Sequence, residues 1–288
     1  MAVDAIRVTK LPEGEAVPVL GQGTWYLGEG LRPRAEEIAA LRLGIDLGMF
    51  LIDTAEMYGN GAAEELVGEA LAGRRDEVFL VSKVLPGHAT AVGTMAACDR
   101  SLERLRTDQI DLYLLHWRGA IPLAETLEGF EGLIRAGKIR YWGVSNFDVP
   151  DMEELWSTQG GRLIKGGRHV ATDQVLYNLT RRGIESDLMP WCRERGIPIM
   201  AYSPIEQGRL LGHPVLQAVA AGHGATPAQV ALAWLLRHPD VIAVPRSGRT
   251  EHVRENRDAL DLRLTEEDLA RLDRAFPPPT GPRPLEMI

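Results

Sequence analysis

Short apolar runs alternate with amphipathic stretches along most of this sequence. Eight runs rich in Val, Ile and Leu are typical of strands buried on both faces of a parallel sheet, namely residues 20–25, 49–54, 78–84, 110–116, 139–146, 171–177, 197–203 and 241–245. Between them, apolar side chains recur at helical spacing, as at Ile38, Leu41 and Ile45. The eightfold alternation of strand and helix predicts an α/β protein, a (β/α)8 TIM barrel.

An open, doubly wound sheet is the alternative interpretation of the same alternation. A dinucleotide-binding sheet of that kind carries Gly-x-Gly-x-x-Gly directly after its first strand. The segment Gly21 to Tyr26 (GQGTWY) lacks the third glycine, and no other segment supplies the motif. The barrel is therefore favoured.

The two ends of the chain add elements to the barrel. Short apolar segments on either side of Pro12-Glu13-Gly14 predict an N-terminal β-hairpin within residues 1–20. Beyond the eighth strand, residues 251–259 and a segment from Thr265 predict two helices, so one extra helix follows that strand. The Pro-rich tail 277–288 fits neither helix nor strand. We expect it either to be loose or to lie over the mouth of the barrel.

Composition and charge narrow the class of protein. The 288 residues, 45% hydrophobic and 25% charged, fit one globular domain over residues 1–288. A net charge of −8 predicts neither a nucleic-acid partner nor an anionic membrane partner. Cys98 and Cys192 lack metal or redox spacing, and no signal peptide or membrane-spanning run is visible. We expect a cytoplasmic monomer without a metal.

Polar side chains interrupt three successive apolar strands at their carboxyl ends. They are Asp53, Lys83 and His116, and Tyr58 follows Asp53 on a Gly/Asn turn. Taken singly, each has a structural interpretation: the acid caps the helix near Gly61, the lysine reaches solvent, and the histidine is a hydrogen-bonded core residue. Together, at equal height on neighbouring strands, they predict an acid–base site.

The electrostatic expectation for this site concerns the tyrosine. A nearby ammonium favours the phenolate, so Lys83 should lower the pKa of Tyr58 from its ordinary value of about 10. Asp53 should keep the lysine charged and in place. The predicted result is a phenol that gives up its proton near neutral pH.

The chain resembles the aldo-keto reductases over nearly its whole length, and within them a bacterial branch that is similar to methylglyoxal reductases. Seven motifs in order carry the resemblance: GQGTW at 21–25, DTAEMYGN at 53–60, VSK at 81–83, DLYLLHW at 111–117, GVSNF at 143–147, AYSP at 201–204, and VPRS at 244–247 running to Glu255-Asn256. Methionine, phenylalanine and leucine at 49–51 depart from another branch of that family.

The resemblance implies a role for each of these residues. Tyr58 would be the general acid that protonates a carbonyl oxygen as hydride arrives from a nicotinamide, Lys83 and Asp53 would tune it, and His116 would orient the carbonyl. Tyr202 would stack on the nicotinamide ring. The cofactor would have further contacts with Thr24, Ser145, Asn146, Gln174, Ser203, Pro204, Ile205, Gln207, Gly208, Arg246, Ser247, Arg249, Glu255 and Asn256.

The choice of cofactor rests on the start of the extra helix. Arg246 and Arg249 flank Ser247 there, and a 2′-phosphate is recognised by arginines and by a helix N-terminus. The alternative interpretation of these two arginines is a solvated basic loop. With the resemblance, NADPH is favoured over NADH. His252 stands where many family members have arginine, so some use of NADH is expected.

The substrate pocket is predicted from two tryptophans. Trp25 and Trp117 would line an aromatic pocket beside Tyr58, although tryptophans at strand ends also simply pack a barrel rim. A short loop at 118–121 and a brief tail predict an open mouth, which suits small aldehydes and ketoaldehydes such as methylglyoxal. Two other functions remain open: an aldolase with Lys83 as Schiff-base nucleophile, and a non-catalytic NADPH-binding sensor.

Overall fold

The computed structural model describes residues 6–158 and 169–288, and within them it contains two sheets. The antiparallel hairpin pairs β1 (Val8–Lys10) with β2 (Ala16–Pro18). The parallel sheet runs in chain order through β3 (Gln22–Gly23), β4 (Leu51–Asp53), β5 (Phe79–Val84), β6 (Ile110–Leu115), β7 (Ile139–Ser145), β8 (Val170–Leu176), β9 (Ile199–Tyr202) and β10 (Val241–Ala243).

Backbone hydrogen bonds close this sheet into a barrel. The Gly21 amide donates to the Ala243 carbonyl at 2.9 Å, and the Ala243 amide donates to the Val19 carbonyl at 2.8 Å. The predicted (β/α)8 barrel with an N-terminal hairpin is confirmed. The strand predicted at 20–25 is shorter than expected. Isolated bridges join Leu20 and Gly23 to the chain at and just beyond β10, and Tyr26 then turns the chain with a φ of 66°.

Helices follow the strands on the outside of the barrel. They are α1 (Arg34–Asp46), α2 (Ala62–Ala70), α3 (Ala91–Leu105), α4 (Leu123–Arg135), α5 (Val149–Thr158), α6 (Leu188–Glu194), α7 (Pro214–His223), α8 (Pro227–Leu236), α9 (Thr250–Asp258) and α10 (Glu266–Ala275). The extra helix predicted after the last strand is α9. The start predicted at Thr265 is that of α10, where the Thr265 hydroxyl accepts from the Asp268 amide at 3.1 Å in a capping box. Among the described residues, no helix is long and apolar enough to cross a membrane.

The core has two layers because side chains alternate along each strand. Inward-facing residues such as Leu51, Val81 and Leu114 fill the barrel, and Leu11 and Val17 of the hairpin pack with them. Outward-facing residues pack against the helices in a larger apolar layer. The filled interior leaves the carboxyl ends of the strands as the place for polar side chains.

The tail beyond α10 has no helix or strand, as predicted, and it runs back over the barrel. Glu286 pairs with Arg181 at 2.5 Å. Met287 and Ile288 reach the mouth of the barrel, where they line a cavity together with Tyr58 and Trp117. The tail therefore lies over the mouth of the barrel, which is the second of the two expectations for this segment.

Candidate active site

The same alternation that fills the barrel aims the predicted site residues into its mouth. Asp53 continues the inward face of Leu51, Lys83 continues that of Val81, and His116 that of Leu114. In register, these residues are not directly opposite one another. In the strand pairing, Asp53 is opposite Val81 and Lys83 is opposite Leu114, because barrel strands are tilted and staggered. The long lysine side chain spans this step.

Lys83 is the centre of the site. Its side chain is fully buried, and its ammonium contacts the two carboxylate oxygens of Asp53 at 2.8 and 2.9 Å. It also donates to the Thr54 carbonyl at 2.8 Å and to the Tyr58 hydroxyl at 3.1 Å. An ammonium has three donors, and these three partners use them all. Burial lowers the pKa of Lys83 below its ordinary value, while Asp53 opposes that shift.

The carboxylate of Asp53 is held within this cluster. Its second partner is the Gln174 amide, which donates to it at 2.8 Å. The α2 helix has Gly61 as its N-cap residue, with no side-chain cap. Capping of the helix near Gly61 therefore does not account for Asp53.

Tyr58 lies on the turn between β4 and α2. Gly59 and Asn60 follow it with φ of 55° and 52°, a conformation that suits glycine and asparagine. The phenol oxygen accepts from Lys83, so its own proton is free to point into the cavity. The pKa of Tyr58 is raised well above its ordinary value, first by burial and then by Asp53. The expected lowering of this pKa is therefore wrong: the phenol remains protonated at neutral pH, because burial outweighs the nearby ammonium.

His116 faces Tyr58 across the cavity, with ring centroids 5.8 Å apart in an edge-on arrangement. Burial, and then the charge of Lys83, lowers the pKa of His116 to about 2. The imidazole is therefore neutral. Its Nδ1 is buried without a hydrogen-bond partner. Because an unpaired buried N–H is costly, the Nε2–H tautomer is favoured, which leaves a donor for a ligand.

Polar groups at the carboxyl ends of β7, β8 and β9 form a chain of hydrogen bonds beside the four residues. The Ser145 hydroxyl donates to the Gln174 carbonyl at 2.7 Å. The Asn146 amide donates to the His116 carbonyl and to the Ser145 hydroxyl, both at 3.1 Å. The Tyr202 hydroxyl donates to the Asn146 side-chain oxygen at 2.9 Å. These groups are thereby fixed in orientation around one wall of the mouth.

Two cavities meet at the site and share Trp25, Tyr58 and Tyr202. The larger one, a cleft of about 460 Å³, runs outward to the start of α9. The predicted cofactor residues that line it, besides Tyr202, are Thr24, Ser203, Pro204, Ile205, Gln207, Gly208, Arg246, Glu255 and Asn256. The smaller one, of about 240 Å³, is lined by three more of them, Ser145, Asn146 and Gln174, and by His116, Trp117 and the tail.

The sequence interpretation and the structure differ at several positions of this site. Ser247 and Arg249, which stay predicted cofactor residues, are not among those that line the larger cleft. The Ser247 hydroxyl accepts from the Arg249 amide at 3.1 Å, directly before α9. Tyr26 lines the cleft and was not predicted. It stacks on Trp25 at 4.5 Å, with Arg246 6.0 Å from its ring.

Glu56 was also not predicted from the sequence. It is buried and holds the turn that carries Tyr58: its carboxylate accepts from the Leu85 amide at 2.8 Å and pairs with His88 at 2.9 Å. The only sequence signal for Glu56 is its place between Asp53 and Tyr58.

Comparison with known proteins identifies relatives along almost the whole chain. The sequence model of the aldo/keto reductase family matches residues 19–276. The methylglyoxal reductase YeaE of Escherichia coli (strain K12) is 50% identical over 278 residues, 95% of this chain and 96% of that protein. The glyoxal reductase of Bacillus subtilis (strain 168) is 35% identical, over 97% of this chain and 96% of that protein. An aldo/keto reductase from Klebsiella pneumoniae, crystallised with NADP and acetate, has a TM-score of 0.93 and 51% identity, covering 99% of this chain and 100% of that chain.

Proposed function

The chain belongs to the aldo/keto reductase family, and we propose that it reduces aldehydes and ketones to alcohols with NADPH, using Tyr58 as the proton donor. One observation carries the assignment of that residue. The buried Lys83 ammonium donates to the Tyr58 hydroxyl at 3.1 Å, at the junction of the two cavities. A phenol held in this way has a proton to give and a cation beside the oxygen that loses it.

The larger cleft has the donor set that a dinucleotide phosphate needs. Arg246 offers a guanidinium at its outer end, and Ser203, Gln207 and Asn256 offer neutral polar groups along it. Gly208 has a φ of 87° and belongs to a loop that lets backbone approach a ligand closely. The inner end opens at Tyr58 and Tyr202. We infer that the 2′-phosphate lies near Arg246 and the nicotinamide near Tyr202, so that bound NADPH supplies hydride at the junction of the cavities.

Tyr58 and Lys83 would together move the proton. Tyr58 is uncharged at neutral pH, so it can donate its proton to the carbonyl oxygen as negative charge develops there. The phenolate that remains is stabilised by the Lys83 ammonium, which is already in hydrogen-bond contact. Asp53 keeps that ammonium in place through two contacts, so little reorganisation is required when charge moves.

His116 would orient the carbonyl rather than exchange protons. Its imidazole is neutral because burial lowers its pKa to about 2. A neutral Nε2–H can donate a hydrogen bond to the carbonyl oxygen from the side opposite the phenol. Two donors on one oxygen fix the direction of the carbonyl group.

Small aldehydes and ketoaldehydes fit the remaining space. The smaller cavity measures about 240 Å³ and is lined by Trp25, Trp117 and Met287, which favours a compact ligand. Relatives of known activity include reductases of methylglyoxal and glyoxal. We therefore propose that small dicarbonyls such as methylglyoxal are substrates, with NADH a poorer hydride donor than NADPH.

The two other functions considered from the sequence are less well supported. A Schiff-base lysine must lose its proton and reach the substrate, whereas all three donors of Lys83 are used by Asp53, Thr54 and Tyr58. A purely regulatory NADPH-binding protein has no need of this proton-donating cluster.

The test is a panel of carbonyl compounds with purified protein, following the loss of NADPH or NADH absorbance. Methylglyoxal, glyoxal and a bulky aromatic ketone would be compared at equal concentrations. The proposal expects turnover with the small dicarbonyls, faster with NADPH than with NADH. Absence of NADPH oxidation with every member of the panel would contradict it.

A further inference from the structure

Arg181 connects the two cavities of the site from outside. Its Nε and Nη2 donate to one carboxylate oxygen of Glu206 at 3.3 and 3.2 Å. Its Nη1 donates to Glu286 in the tail at 2.5 Å. One guanidinium thus holds two segments that are far apart in the chain, and each of these segments lines a different cavity.

Glu206 belongs to the loop of the larger cleft. Its neighbours Ile205, Gln207 and Gly208 line the cleft, whereas Glu206 does not. The Glu206 side chain is buried, and it also accepts from the Asn178 amide at 2.7 Å and from Arg209 at 3.1 Å. Burial opposes charge at Glu206, but its hydrogen bonds to Asn178 and Arg181 outweigh burial and lower its pKa.

The backbone of this loop is held in an uncommon conformation. Ser203, Glu206 and Gln207 have φ of 46°, 49° and 55°, a left-handed region that non-glycine residues avoid. Such a conformation persists only when surrounding contacts hold it. The anchored side chain of Glu206 provides contacts of that kind, so the conformation of the loop and the contacts of Glu206 depend on each other.

The tail end of the connection forms the outer wall of the smaller cavity. Met287 and Ile288 line that cavity directly after Glu286, and they are only half-buried, with 50% and 47% of their surfaces exposed. Leu285 anchors the chain just before this wall by packing against the larger apolar layer, and the Arg181–Glu286 pair is an ion pair directly beside the wall.

We propose that Arg181 is a positioning residue that couples the two cavities: occupation of the nucleotide cleft fixes the loop at Glu206, and Arg181 transmits this to the tail that closes over the substrate. This inference rests on the proposed function, since it takes NADPH as the ligand of the larger cleft. Reciprocity of coupling requires that a closed tail also favours NADPH.

Three substitutions separate the parts of this connection. Glu286→Gln removes the tail contact alone. Arg181→Gln removes both contacts. Arg209→Gln is the matched control. Arg209 donates to the same carboxylate oxygen of Glu206, so its replacement removes an arginine contact to Glu206 and leaves the tail contact of Arg181 intact.

Steady-state kinetics give the first readout. Glu286→Gln and Arg181→Gln should raise the KM for methylglyoxal up to about five-fold, the range of a half-exposed ion pair, with kcat unchanged. Arg209→Gln should leave that KM unchanged. Equal KM values in wild type, Glu286→Gln and Arg181→Gln would overturn the proposal.

Hydrogen exchange of the tail gives a readout that needs no turnover. Addition of NADPH alone to the wild-type protein should slow amide exchange in residues 283–288. The slowing should persist in Arg209→Gln and disappear in Glu286→Gln and Arg181→Gln, each at a saturating NADPH concentration. If the wild-type protein binds NADPH but amide exchange in its tail stays the same, the coupling is overturned and the proposed function still stands. Failure of the wild type to bind NADPH would instead contradict the proposed function and the coupling together.

Discussion

Replacement of Lys83 by methionine removes the centre of the hydrogen-bonded cluster while nearly preserving side-chain length. Asp53 loses its two ammonium contacts and keeps the Gln174 amide at 2.8 Å as a donor. Removal of one partner from a buried ion pair typically costs about 3–5 kcal/mol. We expect a loss of this size in the free energy of unfolding at neutral pH, measured by urea titration with tryptophan fluorescence.

The same substitution should nearly abolish turnover. Without the ammonium, the phenolate that forms at Tyr58 has lost its nearest cation, and reduction should fall about 100-fold or more. The control is the double variant Lys83→Met/Asp53→Asn, which removes both charges of the pair. It should regain much of the lost stability but none of the activity. A double variant with activity near wild type, or a Lys83→Met protein as stable as wild type, would refute the role given to this pair.

Three further predictions address the cofactor site, an isolated buried acid and the histidine. Arg246→Ala should weaken NADPH binding about ten- to a hundred-fold and leave NADH binding nearly unchanged; equal losses by fluorescence titration would make Arg246 structural. Asp173 on β8 is fully buried, and burial raises its pKa well above its ordinary value. The folded state therefore keeps this proton, and the free energy of unfolding falls as pH rises above that ordinary value. Asp173→Asn should gain stability over wild type as pH rises, whereas parallel urea curves at all pH values would exclude this. Because the pKa of His116 is lowered to about 2 and that of Tyr58 is raised, kcat/KM for reduction should be flat across the neutral range, and a histidine-like step near pH 6.5 would contradict the neutral imidazole.

The parts of the fold and site that depend on local pattern could be predicted from the sequence. An acid, a lysine and a histidine interrupt apolar strands at Asp53, Lys83 and His116, and the inward face of each strand brings them together. The start of α10 could be predicted because its capping box lies within four consecutive residues from Thr265. Where one residue and its neighbours determine the structure, the sequence suffices.

Features that depend on distant contacts were not predictable in this way. The tail has no periodic pattern, and it meets the barrel through distant contacts such as the Arg181–Glu286 pair, whose members are 105 residues apart. The direction of the Tyr58 pKa shift depends on how deeply the fold buries the phenol, which residue types and spacing do not reveal. Arg249, at the start of α9, stays a predicted phosphate ligand, although its side chain is not among those lining the cleft.

The central claim is that Tyr58 donates the proton in NADPH-dependent carbonyl reduction. Tyr58→Phe keeps the ring beside Trp25 and Lys83 and removes only the hydroxyl. The direct measurement is turnover of methylglyoxal by this variant, together with its affinity for NADPH. We expect a loss of about 100-fold or more in kcat with NADPH affinity unchanged. Reduction at a rate near that of the wild type would contradict it.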